Sequence, residues 1–193
     1  MARTTTKKAA SRKASSGRST ASKSTSTNGA ARSRAKAGTR VPEISGDEAN
    51  RTIELLQNRL VALLDLHLTL KHAHWNVTGP NFIAVHEMLD PQVAAVRSMS
   101  DAVAERIATC GGTPMGTPGA IVEGRTWDDC DVGRASTTDH LTKLDAVYQG
   151  VCDDHRSAMD ELEDLDPVSE DLLTGQLGEL ELFVWFIRSH LAN

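Results

Sequence analysis

Residues 72–90, HAHWNVTGPNFIAVHEMLD, hold three of the seven histidines of this 193-residue chain around one Gly-Pro turn. His86 and Asp90 are four residues apart, and Asp101 and Glu105 repeat that spacing further along the chain. Imidazole and carboxylate groups together suit iron, manganese or zinc, and the set is too rich in nitrogen for calcium. The pattern therefore indicates a site for a divalent metal ion.

The four residues share one face of a predicted helix without forming a single site. At 100° per residue they fall within a stripe about 100° wide. Asp90 and Asp101, however, lie about 16 Å apart along a helix axis, whereas metal–ligand bonds are about 2 Å long. Each pair is therefore half of a site.

The two pairs have a common centre between positions 95 and 96. If a second copy of the helix lies antiparallel across a two-fold axis at that point, the partner's Glu105 lies opposite His86. The partner's Asp101 then lies opposite Asp90, because an isologous contact repeats every pairing. Two identical metal sites would form, one at each end of the contact.

His74, at the end of the preceding helix, is a further candidate ligand. The chain contains no Glu-x-x-His motif, which metal sites inside a single four-helix bundle use, and its absence favours the interface. The alternative is that each residue has an ordinary role. Asp101 would then pair with Arg97 one turn earlier, Glu105 with its own neighbours, and His86 would pack as an uncharged side chain.

Two long helices are predicted to carry these residues. A capping box, SGDE at residues 45–48, begins the first, and apolar residues recur at helical spacing up to Trp75. The TGP turn at residues 78–80 ends it. The second helix runs from about Asn81 to Thr109 and ends before two glycines. It contains Pro91, which removes one backbone hydrogen bond.

A long crossover and two further helices follow. Residues 111–135 are rich in Gly, Pro and Thr, with a short helix expected around Trp127–Asp131. A third helix is predicted from about Ser136 to Leu165, and the Asp-Pro pair after it begins a fourth that ends near Leu191. This order of elements predicts an all-α, ferritin-like four-helix bundle over residues 43–193.

The N-terminal tail, residues 1–42, differs sharply from this body in charge. It contains no acidic residue, whereas the rest of the chain has ten basic and 26 acidic residues. With almost no large apolar side chain to bury, the tail is predicted to be disordered. Its eleven cations are Arg3, Lys7, Lys8, Arg12, Lys13, Arg18, Lys23, Arg32, Arg34, Lys36 and Arg40.

Scattered cations without acids are typical of non-specific DNA binding through phosphates. A flexible chain of this length reaches about 35 Å, and several tails on one assembly would bind cooperatively. The alternative is that the tail folds back on the acidic body, where it would join assemblies together or regulate them.

The composition also predicts a cytoplasmic protein. The tail has neither the apolar region of a secretory signal nor the amphipathic face of a transit peptide. No stretch approaches the roughly 18 apolar residues of a membrane span. Cys110, Cys130 and Cys152 are odd in number and form no CxxC pair, which favours reduced thiols that pack in the fold.

Three stretches, KHAHWNVTGPNFIAVHEMLD, DAVAERIATCGG and WFIRSHL, resemble the Dps family of small ferritins over about residues 45–193. The resemblance implies a dodecameric shell of two-fold dimers that associates with the nucleoid. It also implies a ferroxidase that oxidises Fe²⁺ to Fe³⁺ with hydrogen peroxide or dioxygen, with two iron ions at each intersubunit site. Ferric mineral would be stored inside the shell, and DNA would be condensed and protected from oxidative damage.

By position in the motif, the resemblance assigns His74, His86 and Asp90 of one chain to the ferroxidase ligands. It assigns Asp101 and Glu105 to the same site from the other chain. Trp75 would lie near the iron and give up an electron, whereas for packing alone a core aromatic at a helix end would suffice. The tail is the departure from the family's usual pattern, because tail length varies and some members bind no DNA.

A function of another class is also consistent with these residues. The protein would then be an architectural nucleoid protein, and its interface site would hold a structural ion such as zinc. Aerobic iron loading would separate this alternative from the ferroxidase, because a structural site would yield no ferric absorbance.

Overall fold

The computed structural model describes residues 40–192, and the fold is that of a helical bundle. Within this range the polypeptide forms four long helices and one short one, joined at one point by a two-stranded parallel pair. The elements are α1 (Gly46–Asn76), β1 (Val77–Thr78), α2 (Phe82–Thr109), α3 (Pro118–Gly124), β2 (Ala135–Ser136), α4 (Thr137–Leu165) and α5 (Pro167–Leu191).

The predicted capping box begins α1 as expected. The Glu48 backbone N–H donates to the Ser45 hydroxyl at 3.2 Å, and the Ser45 N–H donates to the Glu48 carboxylate at 2.7 Å. These bonds satisfy donors that a helix N-terminus otherwise leaves without partners. The α1 helix ends before a turn at Gly79, whose φ of 108° lies in the left-handed region that glycine adopts without strain.

The second helix follows this turn and contains Pro91, as predicted. It ends at Gly111, which has a φ of 85° and continues the chain away from the helix axis. Both ends of α2 are therefore fixed by local sequence, and the positions of its functional side chains follow from its regular geometry.

The short helix predicted around Trp127–Asp131 was wrong, because α3 lies earlier, at Pro118–Gly124. Thr117 caps it and Pro118 occupies its first turn, where a missing N–H costs nothing. The stretch that was predicted helical instead has no regular secondary structure, with a bend at Trp127 soon after Arg125. That guanidinium binds the buried Asp65 carboxylate of α1 at 3.0 and 3.1 Å and also contacts Asp129.

The last two helices confirm their predicted starts. Ser136 and Asp139 form a second capping box before α4. Asp166 is the N-cap of α5 by position, but its carboxylate accepts no backbone hydrogen bond. It binds the Arg106 guanidinium at 2.6 and 2.8 Å and accepts from the Ser169 hydroxyl. The turn between α4 and α5 is thereby fastened to the last turn of α2.

The parallel pair of strands was not predicted. Val77 pairs with Ala135, and Thr78 with Ser136. Two residues per strand are too few to give an alternating pattern, so the sequence contains no signal that predicts these strands. The pair holds the end of the long crossover against the end of α1, and so next to the histidine-rich turn.

The core lies between the four long helices, where α1 packs against α2 and α4, and α4 packs against α5. Its largest fully buried side chains are leucines, isoleucines and Tyr148. Cys110 and Cys152 are buried, Cys130 is half-buried, and all three are free thiols, as predicted. Among residues 40–192, none of the helices has the length and apolarity that a membrane span requires.

Candidate metal centre

The turn between α1 and α2 brings His74, His86 and Asp90 together. His74 lies in the last turn of α1 and is buried, with 7% of its surface exposed. His86 lies near the start of α2 and is half-buried, and Asp90 follows one turn later at the surface. We call these three residues the histidine half-site.

The two imidazole rings of the histidine half-site fix each other. Their centroids are 3.7 Å apart and their planes 23° from parallel. Nδ1 of His74 is 3.0 Å from the His86 carbonyl oxygen, and Nδ1 of His86 is 3.0 Å from the His74 carbonyl oxygen. A carbonyl only accepts, so each Nδ1 carries the proton and each Nε2 keeps its lone pair. Both rings are thus held in the tautomer that binds a metal through Nε2.

Asp90 contacts a lysine that the sequence analysis did not single out. Its Oδ1 atom is 3.1 Å from Nζ of Lys71 and 3.4 Å from Nδ1 of His74. The hydrogen bond from Lys71 is the main reason that the pKa of Asp90 lies below its ordinary value. The carboxylate is therefore ionised and held beside the imidazoles, although 57% of its side chain is exposed.

Asp101 and Glu105, which we call the acidic half-site, lie about three turns or more beyond Asp90 along α2. Both are exposed. Within the part of the chain that the structure describes, neither forms a salt bridge, so the alternative pairing of Asp101 with Arg97 is not observed. An open groove of about 600 Å³ lies beside Asp101, with Leu60, Leu64 and Arg97 among its lining residues.

The two half-sites do not combine within one chain. Among residues 40–192, no three His, Cys, Asp or Glu side chains converge closely enough to hold a metal ion. His74, His86 and Asp90 therefore do not form a complete site by themselves, and the axial separation of about 16 Å along α2 keeps Asp101 and Glu105 from completing it within one chain. Two sets of candidate ligands are therefore present, and neither is complete within the described residues.

Large apolar side chains surround the histidine half-site and face outward. Trp75 is 70% exposed, Ile83 57%, Leu68 52% and Phe82 37%. Trp75 therefore does not pack in the core of the single chain, which removes the simplest structural role for it. Several large exposed apolar side chains close in sequence to one site favour an interface there.

Other histidines near the turn have structural contacts. Nε2 of His72 is 2.8 Å from the Val132 carbonyl oxygen, so this histidine is engaged by the backbone of the crossover. Val132 belongs to the crossover, which the β1–β2 pair brings next to α1. His67 is half-buried, and burial lowers its pKa, with a further contribution from the charges of Arg97 and Lys71.

Sequence reasoning missed Lys71, but a signal was available. Lys71 precedes His74 by three residues and Trp75 by four, so all three share one face of α1. Its Nζ is 5.8 Å from the Trp75 ring centroid, within the range of a cation–π contact.

The DNA-binding cations predicted in the tail lie almost entirely outside the described residues. Ten of them, from Arg3 to Lys36, precede residue 40, and Arg40 alone is described and is half-buried. The next residue, Val41, donates its backbone N–H to the Thr109 carbonyl at 2.9 Å. The tail is therefore joined to the body at the C-terminal end of α2, one turn beyond Glu105.

Comparison with known proteins identifies the family to which this fold belongs. The ferritin-like domain family matches residues 53–193. The DNA protection during starvation protein of Mycolicibacterium smegmatis is 58% identical over 153 residues, which cover 79% of this chain and 84% of that protein.

Solved structures give the same result. A tetragonal crystal form of Mycobacterium smegmatis Dps matches with a TM-score of 0.79 and 56% identity, covering 80% of this chain and 93% of that one. A Dps from Streptomyces coelicolor matches with a TM-score of 0.80 and 56% identity, covering 83% and 95%. With the helical bundle and its long crossover, these matches show that the chain belongs to the Dps family of ferritin-like proteins.

Proposed function

We propose that this protein is a ferroxidase that oxidises and stores iron at sites shared between two chains. The observation that carries the proposal is the prepared state of the histidine half-site. Two imidazoles are already in the metal-binding tautomer beside an ionised carboxylate, and the fold provides no further ligand there within residues 40–192. A second chain would complete the site.

The spacing along α2 specifies how the second chain would approach. With two α2 helices antiparallel about the centre of the palindrome, His74, His86 and Asp90 would meet the partner's Asp101 and the partner's Glu105. The exposed Leu68, Trp75 and Ile83 near the histidine half-site supply apolar surface that such a contact would bury. The groove beside Asp101 offers room for the approaching helix.

Ferrous ions are the substrate of this site. Two Fe²⁺ ions each lose one electron, and one hydrogen peroxide molecule accepts both electrons with two protons to give two water molecules. Carboxylates that bridge neighbouring ions would hold the pair and stabilise the ferric product, because higher charge on the metal strengthens the attraction. Dioxygen would serve as the slower oxidant. Consuming peroxide and ferrous iron together removes the reagents that generate hydroxyl radicals.

Trp75 would donate an electron close to the iron. It is adjacent to His74 and largely exposed in the single chain, so an oxidant at the completed site would meet its indole ring before it met the core. This role comes from the family resemblance, and the exposure of Trp75 is compatible with it.

Storage would require an assembly larger than the dimer, and we propose the dodecameric shell of the family. An isologous contact closes after two chains, so a shell needs a second contact surface. Leu182 and Trp185, on α5, are 45% and 62% exposed and provide apolar surface separate from the histidine half-site. Ferric mineral would then accumulate inside the closed shell.

Non-specific DNA binding through the tail is the second part of the proposed function. The tail is cationic, and the remaining residues carry an excess of 16 negative charges over the ten Lys and Arg they contain. The body would repel duplex DNA, so the tail is the region with the charge to bind it. Protection of DNA would follow from physical coverage and from the removal of iron and peroxide nearby.

A complementation experiment tests the shared site. His86→Ala chains and Asp101→Ala/Glu105→Ala chains are each expected to be inactive as pure assemblies. In a mixed dimer, one site loses both halves and the other keeps both intact. Subunit exchange should therefore restore part of the peroxide-dependent Fe²⁺ oxidation, measured by ferric absorbance. No recovery in mixtures whose exchange is verified by native mass spectrometry would refute the shared geometry.

The same assay addresses the architectural alternative. A structural site would bind Zn²⁺ tightly and produce no ferric absorbance under aerobic or peroxide-driven iron loading. Metal analysis of the purified assembly alongside the loading assay distinguishes the two functions.

A further inference from the structure

Lys71 holds the Asp90 carboxylate in the position from which it would bind metal. The ammonium nitrogen is 3.1 Å from Oδ1 of Asp90, and the lysine side chain is 24% exposed. His74 approaches the same oxygen to 3.4 Å. One carboxylate oxygen thus already has a cation and an imidazole N–H beside it.

The lysine is held from a second direction as well. Its Nζ lies 5.8 Å from the centre of the Trp75 ring. A carboxylate on one side and an aromatic face on the other restrict a side chain that otherwise has many rotamers. The arrangement follows from sequence, because Lys71, His74 and Trp75 share one face of α1.

Charge balance distinguishes the separate chain from the assembled site. In one chain, the Lys71 ammonium neutralises the Asp90 carboxylate, so the histidine half-site has no net negative charge to attract a cation. When the partner's Asp101 and the partner's Glu105 are added, three carboxylates oppose one ammonium. Two negative charges then remain, which is the charge that a divalent cation balances.

We propose that Lys71 is a placeholder cation that makes metal capture conditional on assembly. In the unassembled chain it occupies the carboxylate and repels a divalent ion. In the assembled site the added carboxylates outweigh it, the metal takes its place on Asp90, and the ammonium withdraws along the Trp75 ring. The inference rests on the proposed function, because it requires Asp90 to be a metal ligand.

Zn²⁺ binding to the full-length apoprotein assembly tests the proposal by isothermal titration calorimetry, with no redox step. Lys71→Met removes the charge and keeps the apolar stem, so Zn²⁺ should bind roughly tenfold more tightly. Lys71→Arg keeps the charge and should stay within about twofold of the unaltered protein. Lys143→Met is the matched control. Lys143, on α4, also pairs with a carboxylate, but its partner Asp131 belongs to the crossover and to neither half-site.

A second comparison uses the unassembled chain, obtained by dilution or by a charge substitution at Ile83. Lys71→Met should there bind Zn²⁺ detectably at concentrations where the same chain with Lys71 binds none. Unchanged or weaker Zn²⁺ binding by Lys71→Met in both states would overturn the placeholder role, because a lysine that only stabilises the fold has no reason to oppose the metal.

Asp90→Asn separates failure of this inference from failure of the proposed site. If Asp90→Asn greatly weakens Zn²⁺ binding while Lys71→Met leaves it unchanged, Asp90 is a ligand and Lys71 is no competitor. If Asp90→Asn leaves Zn²⁺ binding intact, the site itself is wrong and the proposal for Lys71 falls with it.

Discussion

The two ends of α2 differ in how much of their arrangement one chain completes. At the N-terminal end, stacking and reciprocal hydrogen bonds fix His74 and His86, and a lysine restrains Asp90. At the C-terminal end, Asp101 and Glu105 are exposed and, within residues 40–192, bound to no cation. Under the proposed function, the fold would prepare the imidazole ligands and Asp90, whereas Asp101 and Glu105 would be positioned only by the contact with a second chain.

The strongest test of this contrast changes only the acidic end. Asp101→Ala/Glu105→Ala should slow peroxide-dependent Fe²⁺ oxidation by more than about 100-fold, because clustered carboxylate ligands are lost. The melting temperature of the body should not fall, since both side chains are exposed and their mutual repulsion is removed. Stopped-flow ferric absorbance and calorimetry measure the two quantities.

Glu123→Ala/Asp128→Ala provides the control, because it removes two exposed carboxylates from the crossover and none from α2. Its oxidation rate should match that of the unaltered protein. Equal loss of activity in both double variants would mean that overall negative charge, and not ligation by the acidic half-site, drives iron uptake.

The tail joins the body next to the acidic end, so its removal sharpens the comparison. Deleting residues 1–40 should weaken duplex DNA binding by about 100-fold at 0.1 M salt, because all eleven cations are lost. Iron oxidation per assembly should stay within about twofold, since neither half-site is touched.

Gel shifts on unrelated duplexes across a salt series measure the effect of the deletion. The full-length protein should show a steep salt dependence, about −0.9 in the slope of log K against log [salt] for each neutralised phosphate. Sequence preference should be weak, because phosphate contacts carry no base information. Undiminished binding by the truncated assembly would place the DNA contact on the body.

At the histidine end a substitution should lower stability as well as activity, and the change in stability is smaller than the loss of oxidation expected at the acidic end. His74→Ala deletes a buried ring and leaves the His86 carbonyl without its donor. The free energy of unfolding should fall by about 2 kcal/mol, in contrast to the acidic end. Urea unfolding of His74→Ala and of His190→Ala, an exposed histidine on α5, makes the comparison. An unchanged stability in His74→Ala would show that the half-site is not prepared by the fold.

The smallest expected effect concerns stability against pH and comes from a buried histidine of the bundle that belongs to neither half-site. Burial among α1, α4 and α5, together with the charge of Arg59, lowers the pKa of His155 to about 4. Its unfolded-state pKa is near 6.5, so the stability contributed by neutral His155 is present above that pH and declines as the pH falls towards 4. Between pH 7 and 5.5 the loss should be about 1 kcal/mol.

His155→Gln should flatten this part of the stability curve, because glutamine does not titrate. Urea unfolding at several pH values compares the variant with the unaltered protein. If both proteins lose the same free energy of unfolding between pH 7 and 5.5, the effect belongs to other titratable groups and not to His155.

The helices and their order followed from the sequence because their signals are local. The capping box at Ser45 predicted the start of α1, and the start of α4 was predicted near Ser136, each to within one residue. The short α3 helix was misplaced although Thr117 and Pro118 offer a local signal for its start. The contact of Arg125 with Asp65, which lies 60 residues earlier, could not be read from any local pattern.

For the candidate site, the sequence predicted which residue types lie on α2 and at what spacing. The state of the histidines followed only from structure, since each Nδ1 bonds a carbonyl across the turn. Lys71 was overlooked because lysine is not a usual metal ligand, so a search for ligand residue types passes over it. The role proposed for Lys71 rests on its 3.1 Å contact with Asp90, which only the structure shows.

The hydrogen bond between the Val41 N–H and the Thr109 carbonyl has a consequence for how DNA would be arranged. It attaches the tail at one end of α2, which is 28 residues long and therefore about 42 Å. In an antiparallel pair of these helices, the two tails would leave from opposite ends of the contact. Such an assembly would cross-link neighbouring duplexes into a network instead of wrapping a single duplex around itself.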